Sequence, residues 1–234
     1  MAILIRTLMR RNICNFTLLL VATPVVACAQ SSAKLALGQR LAHEYEKKAG
    51  IGNSRQLGEI SRYISRVGGR VASALPSPQR YRFIFDPNPS FKSAFALPGG
   101  YIVVGGGMLA LTETEDELAN VLAHEIEHVE LGQVSRRVTE LTKHKDMKSL
   151  HVEDLDPGYT KQEELACDLN GQTLAAKAGY SPAGMLTLLE TFKALSKGKV
   201  ESPSEEHPTL MERIAQVEPL AKTSPQKQIR LSIP

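Results

Sequence analysis

The sequence predicts an α+β fold, mainly helical, with one small β-sheet placed just before a central helix. Three observations predict it. Apolar residues recur at helical spacing through most of the segments between residues 35 and 221. Three short strand-like runs lie together between residues 81 and 104. A helix-start signature at Thr114 opens the most apolar of the helical segments.

Residues 35–48, LALGQRLAHEYEKK, carry Leu35, Leu37, Leu41 and Ala42 in a helical pattern. The second expected helix covers 55–75, with Leu57, Ile60, Ile64, Val67 and Val71 on one side, and Pro76 and Pro78 end it. YRFIFD (81–86) alternates as a strand, and AFAL (94–97) and YIVV (101–104) are two more, joined by Pro98-Gly99-Gly100. Gly105-Gly106-Gly107 breaks the last strand, and a short helix follows. Thr114-x-x-Glu117 fits a capping box and opens a helix over 115–133. Residues 135–161 are polar and weakly periodic and read as a connecting segment. Helices follow over 162–178, through SPAGMLTLLETFKAL and near 209–221; TSPQKQIRLSIP reads as a loose tail.

Residues 1–30, MAILIRTLMRRNICNFTLLLVATPVVACAQ, run from basic to apolar to small, the order of a secretory signal. The apolar run is short and interrupted by Pro24, which argues against a membrane span. Two processing sites compete. Val25-Val26-Ala27-Cys28 resembles a bacterial lipobox, which would make Cys28 a lipidated N-terminus; Ala27-Cys28-Ala29 is a signal-cleavage site of the A-x-A kind. The lipoprotein reading is preferred because it gives Cys28 a purpose. Ala29 after the cysteine then resembles the pattern sorted to the outer membrane. Cys14 lies inside the signal, so Cys167 is left without a partner for an internal bridge, and core size must hold the domain together.

Charge excludes one class of partner. The net charge of +3 includes Arg6, Arg10 and Arg11 in the first 27 residues, which hold no acid. Without them, 25 basic residues face 25 acidic ones, so a mature chain lacks the basic excess that nucleic-acid binding needs.

The chemistry concentrates in VLAHEIEHVELG, residues 121–132. On a helix, positions i and i+4 share a face, so His124 and His128 can point at one metal ion. Glu125 is displaced by about 100° around the axis and can reach a water without ligating. Two imidazoles with a glutamate base is the pattern of zinc hydrolases. A catalytic zinc usually has three protein ligands, so one is missing. Val121, Leu122, Ala123, Ile126 and Val129 predict a buried helix, where imidazoles need partners. Glu127 reads as outward-facing.

The other histidines divide by context. His43-Glu44 has no second histidine after it and reads as surface; His144 and His151 lie in the polar 135–161 stretch and read as solvated. A continuation as H-x-x-G-x-x-H is absent, since Leu131 and Val134 stand at those positions. QEELACDLNG (162–171) offers carboxylates instead. Glu164 and Asp168 are four apart and share a face, so one can ligate while the other holds a ligand histidine. Glu163 is a close competitor, and a charged solvent face is the plain alternative.

HEIEH, the E-x-x-x-D of EELACDLNG and HPTLMERI (207–214) together resemble metallopeptidase family forty-eight, most of all its periplasmic branch, over residues 35–220. The resemblance implies a gluzincin-type zinc peptidase domain with Zn2+ bound by His124, His128 and Glu164 and with Glu125 catalytic. Asp168 matches the family's Asp four residues after the ligand, and His207 and Arg213 match its H-P-x-x-x-x-R element. SAFALPGGYIVV matches its strand pair beside the cleft, which makes Phe95, Ala96 and Leu97 the candidates for pairing with an extended substrate. Cys167 stands where the family usually has Ala; it could ligate or oxidise, and a small buried filler is the simpler reading. His207 has two implied roles, a donor to the developing oxyanion or an occupant of the metal's open position.

The expected organisation is a signal peptide over 1–27, a zinc metallopeptidase domain over 28–222 and a flexible tail over 223–234. The expected function is an exported zinc-dependent endopeptidase in the bacterial periplasm, anchored to the outer membrane through lipidated Cys28 and acting on unfolded or misfolded envelope proteins. The alternative is a chaperone-like or binding module whose zinc site is plugged or structural.

Overall fold

The structure, a computed structural model, describes residues 32–51, 54–77, 80–155, 158–196, 207–223 and 229–231. The expected signal peptide and Cys28 lie outside the described residues. Two helices, α1 (Ser32–Lys48) and α2 (Arg55–Ala72), precede the strands β1 (Arg82–Asp86), β2 (Ala94–Leu97) and β3 (Tyr101–Gly105). Then come α3 (Gly106–Leu111), α4 (Glu115–Glu130), α5 (Gln133–Leu141), two short 3-10 turns (Met147–Ser149 and Val152–Leu155), α6 (Lys161–Lys177), α7 (Ala183–Leu195) and α8 (Leu210–Thr223). The architecture is the mainly helical α+β one that the periodicity predicts, with the small sheet beside the HExxH helix.

Helix α4 is the centre of the molecule and is buried from Glu115 to Val129. It packs against α6, α7, α2 and strand β2. Its N-terminus is fixed from several directions. The Thr114 hydroxyl accepts from Glu117 N at 3.2 Å, and the Glu117 carboxylate accepts from Thr114 N at 3.2 Å, the capping box read from sequence. Such a cap contributes roughly 0.5–2 kcal/mol. Glu115 accepts from the Tyr63 and Tyr180 hydroxyls at 2.7 and 3.1 Å. Asp116 accepts from Ser181 N and Ile229 N, both at 2.7 Å, and Glu115 N donates to Ile229 O at 2.8 Å. Residues 229–231 belong to the stretch expected as a loose tail, but they are docked: Arg230 bridges to Thr114, and Ile229 and Leu231 pack on the main core. A free helix N–H and an acidic side chain at the start of α4 give that backbone something to bind.

Two further T-x-x-E pairs do the same work on the neighbouring helices. Thr160 with Glu163 opens α6, and Thr209 with Glu212 opens α8.

The sheet order is β1-β3-β2, with β1 parallel and β2 antiparallel to β3, so β2 is an edge. One face, with Phe83, Phe85, Ala96, Ile102 and Val104, joins the main core around α2 and α4. The other, with Ile84, Leu97 and Val103, packs on Leu37, Leu41 and Ala42 of α1.

Two departures from expectation adjoin α4. The central helix ends at Glu130 rather than 133, because Gly132 adopts a left-handed conformation with φ 69°. Part of the expected 135–161 connection is helical: α5 buries Val134 and Val138, four apart, on an otherwise polar helix. The rest is held by α1. Arg40 Nη2 donates to the Met147 and Leu150 carbonyls at 3.1 and 2.9 Å, and Leu150 is fully buried.

Candidate metal centre and active-site cavity

Helices α4 and α6 carry the ligand candidates and make the most extensive helix–helix contact in the molecule. At Gly171, seven residues after Glu164, the two backbones lie close together. A Cβ there would stand 2.8 Å from His124 N and 3.0 Å from its Cα. The glycine lets α6 lie directly on the backbone of the HExxH helix, which brings Glu164 over the two histidines.

His124, His128 and Glu164 converge, with one ligand atom from each within 4.8 Å of the others. His124 Nε2 and His128 Nε2 are 3.1 Å apart. Glu164 Oε2 lies 3.5 Å from His124 Nε2, and Oε1 lies 3.7 Å from His128 Nε2. Four-coordinate zinc with bonds near 2.0–2.1 Å keeps its ligand atoms about 3.3–3.4 Å apart. The trio is therefore already close to the spacing that one ion requires. The electrostatics agree. Burial opposes charge on His124, but the carboxylates of Asp168 and Glu164 outweigh it and raise its affinity for a proton. Burial and the His124 charge push His128 the other way. The pair thus favours a single positive charge between two imidazoles and a carboxylate, which a divalent cation supplies with the donor set that suits it.

Both histidines are held from behind. Asp168, fully buried, places Oδ1 3.0 Å from His124 Nδ1; the contact is off the line of the ring N–H, a charge contact more than a well-formed hydrogen bond. Arg213 from α8 grips the same carboxylate with two hydrogen bonds, Nε to Oδ2 at 2.7 Å and Nη2 to Oδ1 at 2.6 Å. Burial would raise Asp168, but Arg213 and His124 hold it well below the usual carboxylate range. On the other histidine, Gln133 Oε1 lies 2.5 Å from His128 Nδ1. An amide oxygen only accepts, so Nδ1 carries the proton and Nε2 is left with its lone pair toward the ligand cluster. Tyr159 stacks on the His128 ring at 3.8 Å and 17°.

Gln133 and Tyr159 were not singled out from sequence. Gln133 reaches His128 only because Gly132 turns the chain back.

Glu163 and Glu164 separate cleanly. Glu163 closes the capping box with Thr160 and pairs with Arg136, whereas Glu164 faces the histidines. The T-x-x-E spacing at 160–163 was the sequence signal that decides between them. Cys167 is not at the ligand cluster: its Sγ lies 3.3 Å from Nδ1 of His128, the nitrogen turned away, and burial pushes the thiol pKa up. It is a buried filler behind the site. His43, His144 and His151 are exposed, as expected. Glu127 is not outward-facing; it is buried, and burial raises its carboxyl.

Glu125 is buried beside the trio, and burial pushes its carboxyl up to about 7. It lines a cavity of about 750 Å³ together with His124, His128, Glu164 and Arg213. The edge strand forms one border of that cavity through Ser93, Ala94, Phe95 and Ala96. Of the three expected strand residues, Phe95 and Ala96 line the cavity. Leu97, on the same face as Phe95, is fully buried against α1. His207 is exposed and does not join the ligand trio; its ring packs beside Gly158, which lines the cavity, so it stands at the rim.

A mainly helical domain whose HExxH helix is crossed by a glutamate-bearing helix has a gluzincin-type arrangement. Residues 54–147 match Peptidase family M48. It is 26% identical over 185 residues to the Beta-barrel assembly-enhancing protease of Escherichia coli (strain K12), covering 67% of this chain and 38% of that protein. Over 198 residues it is 25% identical to Metalloprotease LoiP of the same organism, covering 76% of each. It is also similar to Mitochondrial metalloendopeptidase OMA1 of Schizosaccharomyces pombe, 27% identical over 176 residues, 67% of this chain and 51% of that one. The chain thus spans well under half the length of the first of these relatives. Among the described residues no helix is long and apolar enough to cross a membrane.

Proposed function

We propose that the chain is a zinc-dependent endopeptidase of the bacterial envelope that cleaves unfolded or misfolded proteins. The observation that carries the reading is the convergence of His124, His128 and Glu164 beside buried Glu125, on the floor of a cavity bordered by a sheet edge that pairs with no further strand among the described residues. His124, His128 and Glu164 hold the ion, and the N2O donor set favours zinc. When bound, zinc supplies Lewis-acid activation of water. Glu125 takes a proton from the attacking water and returns it to the leaving amine nitrogen. Asp168, clamped by Arg213, keeps the His124 ring in place. His207, from the rim, donates to the carbonyl oxygen as it becomes an oxyanion.

An extended substrate pairs with the β2 edge through backbone hydrogen bonds, with Phe95 and Ala96 beside it and buried Leu97 anchoring the strand against α1. Edge pairing needs a free stretch of backbone, so it selects unfolded chains. The name of the E. coli Beta-barrel assembly-enhancing protease supports an envelope role, and the N-terminal residues support export with attachment through lipidated Cys28.

Cleavage of unfolded casein by the zinc-loaded chain tests the reading. Glu125→Gln is expected to keep the metal and lose roughly a hundred- to ten-thousand-fold in rate; equal rates would remove the mechanism. His207→Ala is expected to be slower than wild type, and a faster variant would instead make His207 an occupant of the metal's open position.

A further inference from the structure

A second cavity, of about 400 Å³, lies on the α5 side and shares Gly158 and Tyr159 with the active-site cavity. Four charged side chains line it: Arg136, Arg137, Glu140 and Glu163. Three of them are already paired. Glu163 pairs with Arg136 and also accepts from Thr160 N and Oγ1 at 2.8 and 3.0 Å. Glu140 accepts from Lys143 Nζ at 2.8 and 2.7 Å. Arg136 and Arg137 are neighbours on α5, about 100° apart around the axis, so Glu163 does not serve both. Arg137 is left over: its Nε is buried and has no hydrogen-bond partner among the described residues. A guanidinium keeps its proton, so the charge and the unmet donor both stay. Buried donors in that state are uncommon and costly. An anion satisfies the charge and the N–H together. Gln133 also lines the cavity; His128 takes its Oε1, which leaves its NH2 as a neutral donor.

We propose that this second cavity binds a carboxylate of the polypeptide that occupies the active-site cavity, an Asp or Glu side chain or a C-terminal carboxylate. The occupant's identity rests on the peptidase reading above. With three of the four charges paired, one positive charge is unbalanced, which suits a monoanion. Glu140 and Glu163 stand in the same walls and oppose a doubly charged group. The planar guanidinium of Arg137 matches a carboxylate with two parallel N–H donors. Tyr159 sets the site's distance from the chemistry, since its ring both lines the cavity and stacks on His128 at 3.8 Å. Edge pairing on β2 reads only backbone. A carboxylate held by Arg137 adds a side-chain or chain-end preference at a fixed distance from the metal.

The test is a series of unstructured peptides in which a single Glu replaces Gln at successive positions, each made with a free and with an amidated C-terminus. Affinity is read by fluorescence anisotropy on the zinc-loaded full chain carrying Glu125→Gln, which spares the peptide, and KM and kcat are read on the zinc-loaded wild type. One Glu position, or the free acid, is expected to bind about tenfold more tightly than the amidated Gln peptide, with the gain in KM and not in kcat. A gain from an internal Glu assigns the site to a side chain; a gain from the free acid alone assigns it to a chain end. Arg137→Met keeps the apolar stem and removes the charge. It is expected to erase the gain, leave binding of the neutral peptide unchanged and not lower the melting temperature, whereas Arg137→Lys keeps part of the gain. Equal affinity for every peptide without the Arg137 substitutions overturns the site, whatever the variants' folding, and so does a gain that survives Arg137→Met. If an Arg137-dependent gain is present but the zinc-loaded wild type cuts nothing, the peptidase reading falls and the carboxylate site stands.

Discussion

Gln133 shows what a single side chain outside the motif does here. Its Oε1 sits 2.5 Å from Nδ1 of His128, which fixes the tautomer, and Tyr159 covers the ring face. Outer partners of this kind typically carry 10–100-fold of metal affinity. Gln133→Ala is therefore expected to weaken zinc binding by about tenfold or more in a chelator competition, with Gln133→Asn intermediate. An unchanged affinity would make the contact incidental. His124, Glu125 and His128 were legible because helix periodicity alone puts them together. From spacing alone Glu164 was one of two adjacent acids; the family resemblance pointed to it, and Thr160 claims Glu163 as its capping partner. Gln133 was not legible, because its reach depends on the left-handed turn at Gly132, and Glu127 was misread because α4 is covered on the α6 side as well.

Among elements, the crossing of α4 on α6 makes the site. A glycine inside a helix costs up to about 1 kcal/mol against alanine, so replacement at an open position should stabilise. Gly171 is not open: an added Cβ would meet the His124 backbone. Gly171→Ala is accordingly expected to lower the melting temperature and weaken zinc binding together, although no ligand is touched. A raised melting temperature with unchanged zinc affinity would show that the close approach is unimportant. Most helices and all three strands could be read from period and punctuation. Helix α5 could not, because Val134 and Val138 are its only buried apolar residues and its other face is polar.

Over the whole molecule, the cavity arises from parts that are distant in sequence. Its borders come from α1, the β2 edge, the segment held down by Arg40, and α7. Neither the parallel pairing of β1 with β3 nor the docking of Ile229 on the start of α4 has a local sequence signature, since both depend on what the rest of the chain leaves unsatisfied. What the assembly accomplishes is to place Glu164 against two histidines at least 36 residues earlier in the chain. Zinc titration of wild type and Glu164→Ala against a chromophoric chelator measures that directly. Wild type is predicted to bind one zinc per chain and Glu164→Ala to bind it roughly a hundredfold or more weakly. Wild-type stoichiometry and affinity in Glu164→Ala would contradict the three-ligand site on which the account rests.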